Sequence, residues 1–422
     1  MSKENRSGPI VLIHPRGNAN VRQALRTFRE AGRLGAFCTS VATDPAQTLQ
    51  KLLPGGVRAE WMRRSFPEVG AGKIWAHPGM ELMRLAAQRT GCERLTRAET
   101  GRFCHDNVAG DLDRWAARRL KRLPELGAVY AYDDCAVESF RAAREMGAAC
   151  LYELPIAYLR LWSVMSREEQ ALQPEWYRGS PLVWNSEEKL ERKDREIAAA
   201  DAVFVPSHFV ARSLDHARVK PAKVWITPYG CPTPEPVLAE AIEAPEDKGR
   251  RLRVLFVGGD TLRKGIGYLL GAMRRVEGMA ELTVISNLGP EMEGIRTELL
   301  RHNWIKSLPH SAVQKLMQQH DVLVLPTLFE GRALVVLEAL AAGLPVITTP
   351  NSGCEDVVRD GVSGYLIPIR SSEAIAEALT RLHEDRALLA AMRQGARDAA
   401  AGCPWGGYRQ ALLAAVNEVT AR

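Results

Sequence analysis

Short apolar segments alternate with helix-like segments along almost the whole chain, and this alternation restricts the fold more than any other feature. Ile10–Ile13 has the composition of a buried strand, and residues 20–31 have a helical pattern after a loop that contains Gly17. The same order recurs up to Val224–Pro228 and again between Arg253 and Ile369. Strands that alternate with helices are typical of α/β folds with parallel sheets. The sequence therefore predicts an α/β protein built from doubly wound sheets.

A segment rich in proline and charge divides the alternating pattern into two series. Residues 231–251 begin Cys-Pro-Thr-Pro-Glu-Pro and indicate a linker. We therefore expect an N-terminal domain over residues 1–235 and a second domain over residues 236–402, with ligand bound in the cleft between them. Residues 403–422 are expected to form a C-terminal helix with no strand after it.

The composition is typical of a soluble globular protein, with 46% hydrophobic and 25% charged residues among 422. A net charge of +6 fits an anionic substrate or a membrane surface, and it does not indicate nucleic-acid binding. The eight cysteines are scattered, and no pair has the C-x-x-C spacing of a zinc or redox site. Neither a signal-peptide core nor a membrane-spanning run is present, so we expect a cytoplasmic protein.

Two glutamates, Glu330 and Glu338, lie in one of the least polar parts of the chain. Glu330 is expected in the loop between a buried strand at 322–325 and a helix at 333–342, and Glu338 inside that helix. The N-terminus of a helix offers unpaired N–H groups and a partial positive charge that suit phosphate. A carboxylate among apolar neighbours needs hydrogen-bond donors, which sugar hydroxyls can supply. The alternative for Glu338 is a solvated helical glutamate.

A glycine-rich turn ends the first strand of the second series. Gly258 and Gly259 let backbone N–H groups approach an anion, and Arg263 and Lys264 follow with two positive charges. The segment matches neither the Walker motif nor the G-x-G-x-x-G fingerprint. An ordinary turn is the alternative.

Three consecutive motifs resemble the donor half of the family 4 retaining glycosyltransferases, within glycosyl transferases group 1. They are "FVGG…RKG", "LPTLFEGRALVVLEALAAGLPVITTPNSG" and "VVRDGVSGYLIP". The segment "AADAVFVPSHFVARSL" with "KVWITPYGC" resembles the end of that family's first domain, and "CPWGGYRQALLAAV" resembles the helix that crosses back to it. The resemblance is specific over about 200–422 and looser over 9–160. It implies the GT-B architecture, in which two Rossmann-like doubly wound domains face each other across a cleft.

The resemblance implies roles for individual residues. Lys264 and Arg263 would neutralise the donor diphosphate, and Glu330 would face the donor sugar near its reacting carbon. Glu338 would bond the ribose hydroxyls. The other donor-binding positions are Gly258, Gly259, Pro309, His310, Gly331, Arg332, Ala333 and Leu334. Among these, Pro309 and His310 would line the base pocket, and the backbone N–H groups of 332–334 would hold phosphate or sugar oxygens.

Three positions depart from the family pattern. Gly259 stands where the family commonly has arginine. Arg332, in "EGRA" instead of "EGFG", is expected to place a bulky cation near the sugar. Glu153 follows a strand after which the family often has histidine. We expect Glu153 either to act catalytically, by stabilising positive charge on the sugar, or to be a structural carboxylate at a strand end.

The predicted function is that of a metal-independent retaining glycosyltransferase, a hexosyltransferase. It would move a sugar from a UDP- or GDP-linked donor to a hydroxyl of a glycan, lipid-linked or small-molecule acceptor, in cell-surface polysaccharide or glycoconjugate synthesis. No cofactor, metal or nucleic acid is expected. The alternatives are a nucleotide-sugar epimerase on the same architecture and a non-catalytic nucleotide-sugar-binding protein.

Two interpretations are open for each of several features in the N-terminal part. The basic amphipathic stretch 114–123 is either a solvated helix face or a peripheral contact with the inner face of the membrane. His14, Asp133 and Asp134 are either acceptor contacts or structural residues.

Overall fold

Two parallel β-sheets form the framework of the protein. The computed structural model describes residues 8–43, 64–70, 72–123, 125–177, 185–233, 249–259, 261–288 and 292–421. The first sheet has the order β3-β2-β1-β4-β5-β6-β7 and the second the order β10-β9-β8-β11-β12-β13. The strands are β1 (Ile10–Ile13), β2 (Leu34–Thr39), β3 (Ile74–Ala76), β4 (Ala128–Tyr132), β5 (Ala149–Glu153), β6 (Ala202–Val205), β7 (Val224–Ile226), β8 (Leu252–Val257), β9 (Ala280–Ile285), β10 (Asn303–Ile305), β11 (Val322–Leu325), β12 (Val346–Thr348) and β13 (Gly364–Leu366).

Helices connect the strands of both sheets. Those in the first half are α1 (Ala19–Glu30), α2 (Gly79–Arg89), α3 (Glu93–Thr96), α4 (His105–Leu120), α5 (Val137–Glu145), α6 (Leu159–Leu172), α7 (Glu187–Ala199) and α8 (His208–Ser213). Those in the second half are α9 (Ile266–Arg275), α10 (Glu293–Leu299), α11 (His310–Gln319), α12 (Leu334–Ala341), α13 (Ser372–Glu384), α14 (Arg386–Ala401) and α15 (Trp405–Thr420). Within the described ranges, no helix is long and apolar enough to cross a membrane.

The central strands are apolar along their whole length because helices cover both faces of each sheet. Every residue of β1, β4 and β11 is buried. In β1, Leu12 pairs with Phe37 of β2 on one side and with Tyr130 of β4 on the other, all in parallel register. Parallel sheets buried on both faces require such continuous apolar strands. The predicted α/β class with doubly wound parallel sheets is confirmed.

The last helix, α15, packs against α1, which connects β1 and β2 of the first sheet. Arg33 donates to the side-chain oxygen of Asn417 at 2.8 Å, and Arg409 donates to Gln23 at 2.9 Å. The chain enters α15 beside Cys231, whose N–H donates to the carbonyl of Cys403 at 2.7 Å. The predicted boundary at 235/236 lies in residues 234–248, outside the described part of the chain, so the division into 1–235, 236–402 and 403–422 stays a prediction.

The carboxyl end of the first sheet touches the second at a glycine. A Cβ atom added to Gly331 would lie 1.8 Å from the carbonyl oxygen of Pro155. On either side of this contact, the N–H of Ala157 donates to the carbonyl of Glu330 at 3.2 Å and the hydroxyl of Ser207 donates to the carbonyl of Gly331 at 2.7 Å. Because backbone approaches backbone here, only a residue without a side chain fits.

A second contact between the two halves surrounds a buried carboxylate on α6. Glu169 is 1% exposed and accepts a hydrogen bond from the Tyr268 hydroxyl at 2.8 Å. The guanidinium of Arg370 also donates to Glu169, and it forms an ion pair with Glu168 at 2.8 Å. These polar contacts join α6 of the first half to Tyr268 and Arg370 of the second half.

We expect the Gly331→Ala substitution to loosen the contact between the two sheets. The added methyl group cannot be accommodated without moving backbone, so the free energy of unfolding should fall by about 1 to 3 kcal/mol. Thermal unfolding and small-angle X-ray scattering would measure the lost stability and any increase in the radius of gyration. Gly406→Ala is the matched control, because nothing lies within 4 Å of its added Cβ. Wild-type stability and dimensions in Gly331→Ala would contradict the prediction.

Candidate functional site

The candidate site lies where loops leave the carboxyl ends of β8 and β11. These strands are neighbours in the second sheet, and their loops join at Arg263, whose carbonyl accepts from the Leu328 N–H at 2.9 Å and from the Thr327 hydroxyl at 3.2 Å. Gly265 has a φ of +76°, and a Cβ there would lie 2.1 Å from the carbonyl oxygen of Pro326. Ligands of doubly wound folds bind at this edge of a sheet.

Three charged side chains meet between these loops. Lys264 Nζ lies 2.9 Å and Arg263 Nη1 3.2 Å from Glu330 Oε1. Arg263 also donates to the carbonyl of Phe329. Gly258 gives the lysine its path, since a Cβ at that position would lie 2.2 Å from Lys264 Cδ, whereas Gly259 borders open space. The structure thus brings together Gly258, Arg263, Lys264 and Glu330, which the sequence had placed in one donor site.

The carboxylate of Glu330 stays ionised in this cluster. Burial by itself raises the pKa of this carboxyl, but the positive charges of Lys264 and Arg263 bring it below its usual value. Two cationic side chains therefore meet at one carboxylate, and both can bind an anionic group. A diphosphate is such a group, and it accepts charge-assisted hydrogen bonds from both cations.

Glu338 lies beside the same cluster and faces α11. The predicted helix at 333–342 is observed as Leu334–Ala341, but the Glu338 side chain is 22% exposed and therefore less buried than its neighbours suggested. His310, the first residue of α11 after Pro309, places its Nε2 atom 3.9 Å from Glu338 Oε1. Burial raises the pKa of Glu338, while His310 and Lys264 act in the opposite direction. The carboxylate is open to a ligand that donates hydroxyl groups.

Arg332 does not place a cation near a bound sugar, which corrects the prediction from its sequence position. Its guanidinium is fully buried and donates to the carbonyls of Tyr229 at 2.8 Å and Gly353 at 2.9 Å. It also forms an ion pair with Asp356 at 2.6 Å. The side chain turns away from the cluster because these acceptors compensate for the loss of water. Arg332 is therefore a structural link.

Part of the backbone of the loop before α12 is hydrogen-bonded within the protein. The N–H of Ala333 donates to the carbonyl of Ser352 at 2.9 Å, so this amide does not face a phosphate, which corrects the prediction for Ala333 alone; the predicted roles of the Arg332 and Leu334 N–H groups stay predictions. Gly331 contributes the close contact with Pro155, and Leu334 begins α12. Segment 350–352 packs against the loop. The Ser352 carbonyl thus accepts the hydrogen bond that Ala333 was expected to donate to a ligand.

Glu153 is a core residue in this structure, which corrects its proposed catalytic role. It ends β5 as expected, but it is 0% exposed and accepts hydrogen bonds from the hydroxyl groups of Tyr130 and, at 2.7 Å, Tyr229. Asn20 donates to the same Tyr229 hydroxyl at 3.1 Å. Burial raises the pKa of Glu153 to about 7, against the opposing effect of the two tyrosines. A carboxyl group enclosed in this way cannot touch a sugar.

The other candidate acceptor residues also have partners within the protein. Lys193 of α7 lies 2.8 Å from Asp133 and 3.0 Å from Asp134. Asp134 additionally pairs with Arg192 at 2.5 Å. His14 packs edge-on against Tyr132, with 4.8 Å between ring centroids. The structural interpretation accounts for both aspartates.

Two residues of the loop framework were not predicted from the sequence as parts of the site. Ser207 caps α8, as its position before the helix predicts, but its hydroxyl also reaches Gly331 in the other half. Asn351 donates to the carbonyl of Leu328 at 2.8 Å and holds the loop after β11. Serine and asparagine give local capping signals, whereas a contact with a distant segment has no local signal.

No group of three or more His, Cys, Asp or Glu side chains is arranged to hold a metal ion within the part of the chain that the structure describes. Metal independence stays a prediction.

Residues 239–399 match the family model described as glycosyl transferases group 1, which covers less than half of the chain. A curated relative, the amylovoran biosynthesis glycosyltransferase AmsK of Erwinia amylovora, is 29% identical over 150 residues, or 32% of this chain and 37% of that protein. The match thus spans little more than a third of the relative's length. Membership of family 4 in particular stays a prediction.

Solved structures resemble the chain over nearly its whole length. Sucrose-phosphate synthase of Thermosynechococcus elongatus has a TM-score of 0.66 at 18% identity and covers 98% of this chain and 99% of its own. HepE of Anabaena, solved with UDP, has a TM-score of 0.63 at 14% identity and covers 97% of this chain and 100% of its own. Likeness at such identity concerns the fold, and the predicted GT-B fold is confirmed.

The raised pKa of Glu153 predicts a pH-dependent stability. The folded protein binds this proton more tightly than the unfolded chain, in which the pKa is near 4.5. The stability due to the proton is therefore complete below about pH 4.5 and is lost as pH rises through about 7. Glu153→Gln cannot lose a proton, so wild type should lose stability relative to it by up to about 1.4 kcal/mol per pH unit in this window.

Denaturant unfolding of both proteins between pH 4.5 and 8 would test this expectation. The difference between the two curves removes the contribution of other titrating groups. Parallel curves across the window would show that Glu153 keeps an ordinary pKa.

Proposed function

We propose that this protein is a retaining glycosyltransferase that moves a sugar from a nucleoside-diphosphate donor to an acceptor hydroxyl. The observation that carries the proposal is the cluster of Arg263, Lys264 and Glu330 at the carboxyl edge of the second sheet, with Glu338 beside it. The match to glycosyl transferases group 1 includes all four residues. HepE, which shares the fold, was solved with UDP, which fits a nucleoside-diphosphate donor here.

Arg263 and Lys264 would bind the diphosphate and stabilise the charge that grows on it as the sugar bond breaks. Such preorganised charges act most strongly where negative charge develops in the transition state. Their present partner, Glu330, holds both cations in place and is 12% exposed. When a diphosphate engages the cations, the Glu330 carboxylate would orient the donor sugar.

Glu338 and His310 would bind the nucleoside part of the donor. Ribose has two vicinal hydroxyl groups that can donate to one carboxylate, and Glu338 has the partial exposure needed to accept them. His310, which is 64% exposed and begins α11, would border the base. Both UDP and GDP remain candidates for the nucleotide.

Retention of configuration requires the acceptor to attack from the face that the diphosphate leaves. In this step the bond from the sugar carbon to the diphosphate breaks, its electron pair goes to the phosphate oxygen, and the acceptor oxygen bonds to the same carbon. The acceptor proton would pass to the departing phosphate oxygen. This route needs no protein side chain as a base. It therefore agrees with the burial of Glu153, whose carboxyl group cannot accept the acceptor proton directly.

The cellular role that we propose is synthesis of a polysaccharide or glycoconjugate in the cytoplasm. The naming of AmsK as an amylovoran biosynthesis enzyme supports this role. We also propose that residues 114–123 make a peripheral contact with the membrane. Exposed Lys121 of that stretch pairs with Glu145 at 3.1 Å, so part of its positive charge is compensated within the protein.

A non-catalytic nucleotide-sugar-binding protein is the second candidate. The observation in its favour is the burial of Glu153 at the position where the family often has histidine. Tight binding of a nucleotide sugar, without transfer or hydrolysis in the presence of varied acceptors, would favour this candidate.

Loss of Lys264 should weaken donor binding strongly. We expect Lys264→Met to raise the Kd for the nucleoside diphosphate that binds, UDP or GDP, by about tenfold or more, since a charge-assisted hydrogen bond contributes about 1.5 to 3 kcal/mol. Glu338→Gln should also raise this Kd, because a neutral amide accepts ribose hydroxyls less strongly. Isothermal titration calorimetry and turnover assays would measure both effects.

Lys220→Met is the matched control, because Lys220 is exposed and lies in the first half of the chain. It removes the same charge and should leave the Kd unchanged. Wild-type binding and turnover in both Lys264→Met and Glu338→Gln would refute the assigned donor site.

A further inference from the structure

A cavity of about 640 Å³ on the first half of the protein is lined by arginines. Arg16 comes from the loop after β1, Arg64 precedes β3, and Arg84 and Arg89 belong to α2. His105 completes the cavity as the first residue of α4. Four positive side chains from three separate segments thus converge on one space large enough for a phosphorylated sugar.

One buried carboxylate, Glu81, positions the arginines of the cavity. Glu81 is 1% exposed and accepts two hydrogen bonds from Arg84, at 2.6 and 2.7 Å. Arg64 approaches the same carboxylate at 3.3 Å. Burial raises the pKa of Glu81, but Arg84, Arg16 and Arg64 bring it below its usual value. Three of the four arginines therefore act on one buried carboxylate at the cavity.

The histidine at the cavity edge experiences this positive charge. Arg16 Nη2 lies 3.1 Å from His105 Nε2. Burial lowers the pKa of His105 to about 4, and Arg16 and Arg84 contribute in the same direction. His105 also begins a helix of 16 residues, whose N-terminus adds a partial positive charge and unpaired N–H groups. The surroundings favour an anion over a cation or a neutral group.

The position of the cavity relates it to the donor site. β1, β4 and β5 are consecutive parallel strands, so the loop with Arg16 and the segment with Pro155 leave the same edge of the first sheet. Strand spacing puts β1 and β5 about 10 Å apart. Because Pro155 contacts Gly331 of the donor loop, the loop with Arg16 leaves the same edge of the first sheet as the segment that touches the donor loop.

We propose that this arginine pocket, formed by Arg16, Arg64, Arg84, Arg89 and His105, binds a phosphate group of the acceptor. The acceptor class is then a phosphorylated sugar or a lipid-linked substrate with a phosphate headgroup. Guanidinium groups recognise phosphate by paired hydrogen bonds, and the helix N-terminus supplements them. This inference rests on the proposed glycosyltransferase function, which supplies the donor.

The test measures the binding of inorganic phosphate to protein saturated with UDP or GDP, so that the donor site is occupied. Arg16→Gln/Arg89→Gln removes two exposed arginines of the pocket and leaves the Arg84–Glu81 pair intact. We expect its phosphate Kd to rise at least tenfold while its nucleotide Kd stays unchanged. Arg26→Gln/Arg94→Gln is the control with equal loss of charge at exposed positions outside the pocket, and it should bind phosphate like wild type.

Transfer assays then distinguish the two sources of phosphate. Phosphorylated sugars in solution form one arm, and vesicles with a polyprenyl phosphate glycolipid form the other. Preference for either phosphorylated acceptor over its dephosphorylated form, lost in Arg16→Gln/Arg89→Gln, supports the pocket. Equal phosphate affinity in wild type and this variant, or equal use of neutral acceptors, would overturn it.

The pocket and the proposed function can fail separately. If neither nucleotide binds, the donor assignment fails, and phosphate titration in a Lys264→Met background still decides whether the arginine pocket binds phosphate. If nucleotide binds and the arginine substitutions leave phosphate binding unchanged, only the pocket assignment fails.

Discussion

The contact of Gly331 with the backbone at Pro155 is the constraint on which the rest of the site depends. Two main chains meet there at a distance that excludes even a methyl group. The hydrogen bonds of Ala157 and Ser207 to the carbonyls of Glu330 and Gly331 fix the orientation of the same loop. Since Glu330 immediately precedes the contact, the donor cluster is held directly against the first sheet. The close approach of the two halves at this point therefore requires a residue without a side chain at position 331.

Arg332, the next residue, stabilises this arrangement from behind. Burying a guanidinium is costly unless several acceptors surround it, and Arg332 finds them in Tyr229, Gly353 and Asp356. It also contacts the sulfur of Cys403, where the chain turns into α15. One side chain thus joins the end of the first half, the donor loop and the last helix. Arg263, by contrast, contacts the ionised Glu330 in the donor cluster.

Two charge clusters, one in each half of the chain, follow one physical arrangement. In the donor cluster, Arg263 and Lys264 share Glu330, and in the arginine pocket, several arginines share Glu81. In each cluster a carboxylate positions cations that would otherwise repel each other. The proposed transfer between an anionic donor and an anionic acceptor would need positive groups at both sites, because repulsion between the substrates would otherwise oppose their approach.

Local patterns were sufficient for the elements and for the donor loops. The apolar runs predicted β1 and β11, and the helix predicted at 333–342 agrees with α12 within one residue at each end. The glycine turn at 258–259 and the pair Arg263–Lys264 indicated an anion site before any contact was known.

The directions of the side chains could not be predicted from local patterns, because they depend on partners far along the chain. Glu153 is enclosed by Tyr229, which lies 76 residues away, and Arg332 reaches the same residue 103 positions away. The arginine pocket joins Arg16 to His105 across 89 positions. The sequence by itself determined the α/β elements, their order and the charged donor loops, since these depend on near neighbours. Only the tertiary structure decided which polar groups face the ligand, because burial and hydrogen bonding are settled by the segments that packing brings together.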